Sequence, residues 1–344
     1  MANKAFGLDI GAVTIKAVEL TGDKGKFALS SYAVLPTPMR GMLSESPLDQ
    51  EEMAQALKKV VASLKTQNKN VNVALSDNQV YTKIVEMPPL SDKELSLAIY
   101  WEAEQYIPVP LSEITLVWSV LKRPQNLQTD EKMLVLMVGA PTILINKYEK
   151  ILAMAGLNLL SMETGILSTM RALVYPGFPQ SIILSIGAIS ISLAVIKDGI
   201  LIFTYSIPTG GVAISRSIEA DFGITLDQSE AYKKTYGVSG GGIGQKIGKS
   251  TQPILESILS EIKKALAFYS QKYKENAAIQ QVLLSGGTAR LPGIDLFFAD
   301  NLGIETVIAN PWKKLGDQNI PKELVMASSD FTIAVGLAMK SYEQ

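Results

Sequence analysis

The chain of 344 residues contains no cysteine and no histidine. Without thiols there is no disulfide framework, no thiolate nucleophile and no cysteine-ligated metal. Without imidazole there is no Ser-His relay, no His-ligated metal and no His proton shuttle. An excess of one charge is missing too. Lys and Arg number 32 against 33 Asp and Glu, a net charge of −1, which argues against gripping nucleic acid through bulk positive charge. The opening Met1-Ala2-Asn3-Lys4-Ala5-Phe6 runs straight into a strand pattern with no signal-peptide apolar region. Residues 175–196, within the longest uncharged stretch (172–196), are near the roughly 20 residues of a membrane span in length. However, Pro176, Gly177, Pro179 and Gly187 interrupt it, and Ser185, Ser190 and Ser192 alternate with aliphatics, so it reads as a loop and a buried strand. These absences predict a cytoplasmic protein that inserts in no membrane and binds no nucleic acid.

Apolar side chains are plentiful, 47% of the chain, enough for packed cores in two domains or one bilobed unit. The opening reads as strand, turn, strand over 5–11, 14–20 and 26–35, with Thr21-Gly22-Asp23-Lys24-Gly25 as a hairpin turn. Asp49-Gln50-Glu51-Glu52 looks like a capping box ahead of a helix with Met53, Leu57, Val60, Val61 and Leu64 on one face. A second unit begins near Val80. It has a capping box at Ser91-Asp92-Lys93-Glu94, a helix to Tyr106 stopped by Pro108 and Pro110, strands over 114–121 and 133–138, and a helix over 143–155. From Ser181 the opening pattern returns. Ile182-Ile183-Leu184-Ser185-Ile186-Gly187 has the rhythm of Phe6-Gly7-Leu8-Asp9-Ile10-Gly11, and strands over 189–196 and 200–207 follow, so two similar halves are expected. A helix over 226–235, a long helix from Pro253 to about Lys274, a strand over 281–285 and a last helix over 331–341 complete the pattern.

Hairpin tips built from Gly and small residues let backbone N–H groups reach phosphate oxygens. Asp9 at a strand end suits a metal-bound water, and Lys16 suits phosphate charge. Gly286-Gly287 after a strand of branched aliphatics allows a flat ring to lie on the main chain, while Glu230 and Lys233 share a helix face and suit either a ribose and base or a solvated surface pair. The glycine-rich run 237–250 is no Walker A loop, because Ile243 stands where that motif needs Gly, and it reads as a loop between helices.

In order and spacing these segments resemble the actin-like ATPase superfamily and, within it, the PilM family of type IV pilus assembly proteins, relatives of the cell-division protein FtsA. Residues 7–20 are similar to the family's first phosphate motif and 183–192 to its second. Pro208-Thr209-Gly210-Gly211 and Ser229-Glu230-Ala231-Tyr232-Lys233 match the signatures between them, and 284–293 is similar to the adenosine motif. Met87-Pro88-Pro89-Leu90 and Tyr106-Ile107-Pro108 look like the small domain of PilM and FtsA. The resemblance implies an α/β, bilobed actin-like fold of two RNase H-like halves. The first lobe (1A) would comprise 1–79 with 162–180 and 326–344, the inserted small domain (1C) 80–161, and the second lobe 181–325, with its subdomain 2B at about 212–280.

The resemblance also implies ATP and Mg2+ as cofactors. Nucleotide contacts fall on Gly11, Ala12, Val13, Thr14 and Lys16, on Gly187, Ala188 and Ser190, on Gly210 and Gly211, on Glu230 and Lys233, and on Gly286, Gly287 and Thr288, with Asp9 as the metal ligand. It implies the N-terminal cytoplasmic segment of PilN as a partner, with other pilus-platform proteins besides, and a peripheral place at the inner membrane reached through that partner. The surplus apolar surface of the helix over 95–106 suggests a partner groove walled by Leu95, Ile99 and Tyr106, between the small domain and the first lobe. Two departures point to weak or absent hydrolysis. Ser185 stands where the second phosphate motif carries Asp, and Ala12-Val13 replace the usual small hydroxyl pair. The alternatives are an FtsA-like division protein, disfavoured because no linker and amphipathic helix follow the last core helix, and a small-molecule kinase, which needs a carboxylate base beyond Asp9.

Overall fold

The computed structural model describes residues 4–23, 25–125, 130–238, 242–273, 278–316 and 320–343. The first meander is β1 (Phe6–Ile10), β2 (Thr14–Asp23) and β3 (Lys26–Pro36), followed by helix α1 (Pro47–Leu64) and β4 (Asn70–Leu75). Then come β5 (Tyr81–Met87), α2 (Asp92–Tyr106), β6 (Ile114–Lys122), β7 (Met133–Pro141), α3 (Thr142–Met154), β8 (Asn158–Thr164) and α4 (Gly165–Leu173). The second meander is β9 (Ser181–Ile186), β10 (Ile191–Lys197) and β11 (Ile200–Ile207). Helices α5 (Gly211–Phe222), α6 (Leu226–Tyr236) and α7 (Ile243–Tyr273) precede β12 (Gln281–Ser285), α8 (Ile294–Leu302), β13 (Glu305–Ile308), α9 (Lys322–Met326) and α10 (Thr332–Lys340).

The expected internal repeat is present strand for strand. One sheet has the order β3-β2-β1-β4-β8 and the other β11-β10-β9-β12-β13. In each, three antiparallel strands are extended by two parallel ones. The registers correspond as well, with Asp9 opposite Lys16 in the first hairpin and Ser185 opposite Ser192 in the second.

Each sheet buries its outer face under its own helices. Phe6 and Leu8 pack with Met53, Leu57 and Val60 of α1, while Ile182, Leu184 and Leu193 pack with Ile258, Ile262 and Tyr269 of α7. The inner faces meet a shared layer of α4 and α10, where Ile183, Ala194 and Ile196 pack with Ala172, Ala334, Val335 and Ala338. Small residues make that layer close. A Cβ on Gly7 would stand 2.1 Å from the carbonyl oxygen of Ala334, and one on Gly336 would stand 1.8 Å from that of Ser168. A buried ion network ties the same layer together. Glu163 at the end of β8 takes two bonds from Arg171 of α4, one of them 2.9 Å long, and one of 2.7 Å from Lys340 of α10.

The small unit is the sheet β5-β7-β6 with α2 laid across it, and Leu95, Ile99 and Ala103 fill its core with Val85, Met133 and Val135. Its capping box forms as expected, Ser91 receiving the Glu94 amide and Glu94 the Ser91 amide. Three expectations are corrected. First, α1 starts at Pro47 behind Ser46, two residues before the proposed box, because Pro fits the first helical position, where no N–H is needed. Asp49 instead accepts a bond from the Ser44 hydroxyl. Second, the small unit stops near Pro141 rather than at 161. Helix α3 packs Leu144, Ile151 and Leu152 into the first lobe's core, and β8 pairs in parallel with β4. Third, the glycine-rich run is helical from Ile243 on, with Ile247 wholly buried and Pro253 inside α7; residues 239–241 of that run lie outside the described residues.

Candidate functional site

The two hairpins end in the same turn. In the first, the Gly11 amide donates to the Thr14 carbonyl at 3.1 Å, and in the second the Gly187 amide donates to the Ser190 carbonyl at 2.9 Å. A Cβ would sit 2.8 Å from that carbonyl oxygen in the first turn and 3.1 Å in the second, so glycine is what lets the strands turn this tightly. Around them the halves differ. The first turn is braced by Thr37, whose hydroxyl donates to the Gly11 carbonyl at 2.6 Å and whose amide donates to the Val13 carbonyl at 2.9 Å. Val13 at the tip is 51% exposed.

The second turn is covered by a helix start. The amides of Gly211 and Val212 donate to the carbonyls of Gly187 and Ala188 at 2.9 and 2.8 Å, and the Thr288 hydroxyl donates to Gly187 at 3.2 Å. Gly210 and Gly211 have no room for a side chain there, since a Cβ would meet the Gly187 carbonyl oxygen at 2.6 Å and the Thr288 hydroxyl at 2.2 Å. Gly286, at φ +84°, presses in the same way on the Ile186 carbonyl. Gly287 is different. A Cβ there would touch only Asp330 Oδ1, at 3.8 Å, so its face is open.

Glu230 and Lys233 are not a solvated surface pair. Lys233 is 4% exposed, and its ammonium donates to the Gly211 carbonyl at 2.8 Å and meets Glu230 at 2.6 Å. Glu230 also accepts from the Ser215 hydroxyl at 2.5 Å. Burial works to raise the Glu230 carboxyl, but the Lys233 and Ser215 bonds outweigh it and hold it below the usual range. The pair locks α6 onto the start of α5 and the second turn.

The floor of the cleft carries three carboxylates, two of them absent from the sequence reading. Asp9 lies 3.8 Å from Lys16. Burial drives its carboxyl up, Lys16 pulls it back, and Asp330 adds to the rise. Asp330, just before α10, bonds Arg290 at 3.0 Å through Oδ2, while its Oδ1 is buried with no partner among the described residues. Asp77, beyond the end of β4, accepts the Ser192 hydroxyl at 2.7 Å and the Ile166 amide at 3.2 Å, so it joins the first lobe, the second hairpin and α4. Burial raises this carboxyl too, against those bonds. The signal for Asp77 lay in the repeat, since β4 corresponds to β12, whose end carries Gly286-Gly287; Asp330 in Ser328-Ser329-Asp330 left no comparable mark. Among the described residues no cluster of three or more acidic side chains is placed to hold a metal by itself, so Asp9 would need phosphate and water oxygens to complete a magnesium site.

The proposed partner groove needs correction. Leu95 and Ile99 are 1% and 0% exposed inside the small unit, because the 95–99–103 stripe faces β5 and β7. The apolar surplus of α2 is instead Leu97, Tyr100 and Trp101, with Tyr100 edge-on to Trp118 of β6 at 6.2 Å. Tyr106 is exposed, and it lines a cavity between the small unit and β11 of the second lobe, with Asp77 of the first lobe at its edge.

Two like-ordered sheets on a shared helix layer, with matching glycine turns at corresponding ends, define the bilobed actin-like ATPase fold. Solved structures of that shape align along the chain. EutJ, the ethanolamine utilization protein from Carboxydothermus hydrogenoformans, aligns at 17% identity and TM-score 0.59 over 97% of this chain and 89% of its own. MreB5 of Spiroplasma citri bound to AMPPNP aligns at 14% and 0.55 over 100% and 96%. Within this class, residues 7–342 match the family model of the type IV pilus assembly protein PilM, and the chain belongs to that family. It is similar over all of both chains to the structure of a PilM-PilN type IV pilus biogenesis complex, at 26% identity and TM-score 0.88. No described helix is long and apolar enough to cross a membrane.

Proposed function

We propose that this protein is a nucleotide-binding scaffold of the type IV pilus assembly platform, which holds ATP between the two hairpins and hydrolyses it slowly or not at all. The repeated turn carries the reading. Two glycine turns of one geometry, with the open Gly287 face beside them, form a setting in which main-chain amides meet phosphates and a flat ring meets main chain. Asp9 would hold magnesium through phosphate and water oxygens, Lys16 would face phosphate charge, and Thr14 and Ser190 would add hydroxyl donors. Gly210, Gly211, Glu230 and Lys233 serve this site by fixing the second turn. Ser185 leaves the second hairpin without a carboxylate, which is the ground for slow turnover. Gly287→Trp should abolish the rise in melting temperature on adding ATP and Mg2+ while leaving the ligand-free melting point within a few degrees, since that face has room for a side chain. An unchanged rise in the variant overturns the placement, and steady turnover of several ATP per second overturns the slow-hydrolysis reading.

On the partner side, the family and the PilM-PilN relative support docking of a PilN-type N-terminal cytoplasmic segment on the small unit, which would hold the protein at the inner membrane. The exposed Leu97, Tyr100 and Trp101 face of α2 is the candidate surface. Each apolar anchor buried is worth roughly 1.5–3 kcal/mol, so two suffice for a useful affinity that salt hardly alters. Leu97→Glu with Trp101→Glu should weaken peptide binding at least about tenfold, one decade per 1.4 kcal/mol. A folded double variant that binds as well as the parent moves the surface elsewhere.

A further inference from the structure

The two glycine turns match in sequence as well as in backbone. Aligned on the register positions Asp9 and Ser185, Gly11-Ala12-Val13-Thr14 stands against Gly187-Ala188-Ile189-Ser190. Both turns therefore run glycine, alanine, branched aliphatic, hydroxyl residue.

Their unused donors match too. In each turn the first amide closes the turn itself, Gly11 onto Thr14 and Gly187 onto Ser190. The next two amides, of Ala12 and Val13 in the first turn and of Ala188 and Ile189 in the second, donate to no group among the described residues. The hydroxyls of Thr14 and Ser190, both half-buried, have no hydrogen-bond partner among the described residues either. Strand alternation fixes the side on which these hydroxyls lie. Ile15 and Ala17 pack in the outer core of the first sheet, and Ile191 and Leu193 in that of the second. Thr14 and Ser190 therefore take the inner face, with Lys16 and Ser192. Each turn thus presents two consecutive free amides and one hydroxyl, the kind of concavity that takes an oxyanion.

Beyond these two donor sets the turns offer little to a further anion. The side chains at the tips are apolar, with Val13 51% and Ile189 38% exposed. The cations around the site are already matched by carboxylates, Lys16 by Asp9 at 3.8 Å, Arg290 by Asp330 at 3.0 Å and Lys233 by Glu230 at 2.6 Å. A third phosphate would bring more negative charge to a place with neither a free donor set nor an unmatched cation, and a charge taken out of water without partners gains nothing.

Resting on the nucleotide placement proposed above, we infer that the site reads two phosphates, one per turn, and is indifferent to a third. Nucleoside diphosphates and triphosphates bind alike, and a monophosphate, which fills one turn only, binds weakly. The protein then registers whether a nucleotide is present, not whether it has been cleaved.

The test is calorimetric titration of the full chain with AMP, ADP and AMPPNP, each with excess Mg2+. AMPPNP replaces ATP so that hydrolysis cannot turn one ligand into another. ADP and AMPPNP should have dissociation constants within about threefold of each other, and AMP should bind at least about tenfold more weakly, as expected when charge-assisted bonds are lost. Thr14→Val and Ser190→Ala should each weaken ADP and AMPPNP by the same factor, about threefold, the size of one hydrogen bond. Val13→Lys puts a cation on an exposed tip, so it should create a preference of about tenfold for AMPPNP over ADP where the parent has none. Four results would overturn the inference and leave the nucleotide site standing: a parent preference for AMPPNP of tenfold or more, AMP binding as well as ADP, a hydroxyl variant that weakens AMPPNP alone, or a folded Val13→Lys with no preference. Failure of all three nucleotides to bind would overturn the site itself, and this inference with it.

Discussion

The two hairpins share one backbone and almost no side-chain chemistry. The first places a charged pair, Asp9 and Lys16, at the positions where the second has the neutral pair Ser185 and Ser192. The first stands free apart from the Thr37 brace, whereas the second is clamped by the start of α5, by Thr288 and, through Gly211, by Lys233. Main-chain geometry is therefore what the repeat preserves, and in the proposed site a ligand's charge would meet charged side chains in one half only. Such a division suits a protein that holds a nucleotide more than one that cleaves it, because cleavage asks both sides of the phosphate chain to stabilise developing charge.

The largest effect should come from the inner faces, where the halves also differ. The register equates Gly7 with Ile183, one backbone pressed on α10 and the other a side chain in the same layer. Gly7→Val has to displace the Ala334 carbonyl and the Ala338 amide, 2.1 and 2.5 Å from its Cβ, so urea unfolding should show a loss of about 3 kcal/mol or more, at or beyond the upper end for overpacking. Ile183→Val only removes a methyl group and should cost roughly 0.5–1.5 kcal/mol. Equal losses would mean that the first sheet does not depend on contact between bare backbones.

That asymmetry was not legible in the sequence, although the repeat itself was. The matching rhythm of 182–187 and 6–11 announced two halves, and period-2 and period-3.6 patterns placed most strands and helices. The small unit's far boundary was misplaced because β8 joins the sheet edge beside β4, a long-range pairing that periodicity does not encode. Leu95 and Ile99 looked like surplus because a helix's apolar stripe does not say which side its own sheet occupies. Within the site, glycines and the Asp9 hairpin were visible as turn chemistry. Asp77 and Asp330 were not, since a single acidic residue after a strand or before a helix resembles an ordinary cap until the fold brings it to the cleft floor. That Lys233 is buried against Glu230 likewise depended on α5 packing over α6.

The comparison sharpens if the missing carboxylate is restored. Ser185→Asp makes the second hairpin resemble the first, with Ser192 opposite and Ser285 alongside on β12; the Ser192 hydroxyl already donates to Asp77 and the Ser285 hydroxyl to the Ser329 carbonyl, so the new carboxylate gains no ready donor from them. Ser185 is 9% exposed, so the new charge should lower stability by roughly 1–3 kcal/mol in the absence of ligand. Added ATP and Mg2+ should recover that loss, and turnover should rise at least about tenfold, within the range one positioned group contributes. A variant that loses stability but gains neither magnesium dependence nor turnover would show that the second hairpin lies away from the phosphates.

The smallest effect is a difference in the sign of pH dependence between two buried carboxylates. Asp9 has its proton affinity raised, by burial first and Asp330 after it, against the pull of Lys16. A native state that holds a proton more tightly than the unfolded chain loses stability as pH rises between the ordinary carboxylate value and the raised one. Asp9→Asn removes that penalty, so at neutral pH it should match or exceed the parent by about 1 kcal/mol, a typical single-substitution size, and the advantage should shrink on acidification. Glu163 runs the other way. Burial raises it, but Arg171 and Lys340 together hold it below the usual range, so its contribution is present at neutral pH and fades as pH falls through the lowered value. Glu163→Gln should therefore be less stable than the parent at neutral pH, with the deficit narrowing in acid. Urea unfolding of the parent and both variants from neutral pH downward reads the two slopes together. If the Asp9 difference stays constant across that range, its charge is already relieved in the folded protein, and Lys16, not burial, governs the first hairpin.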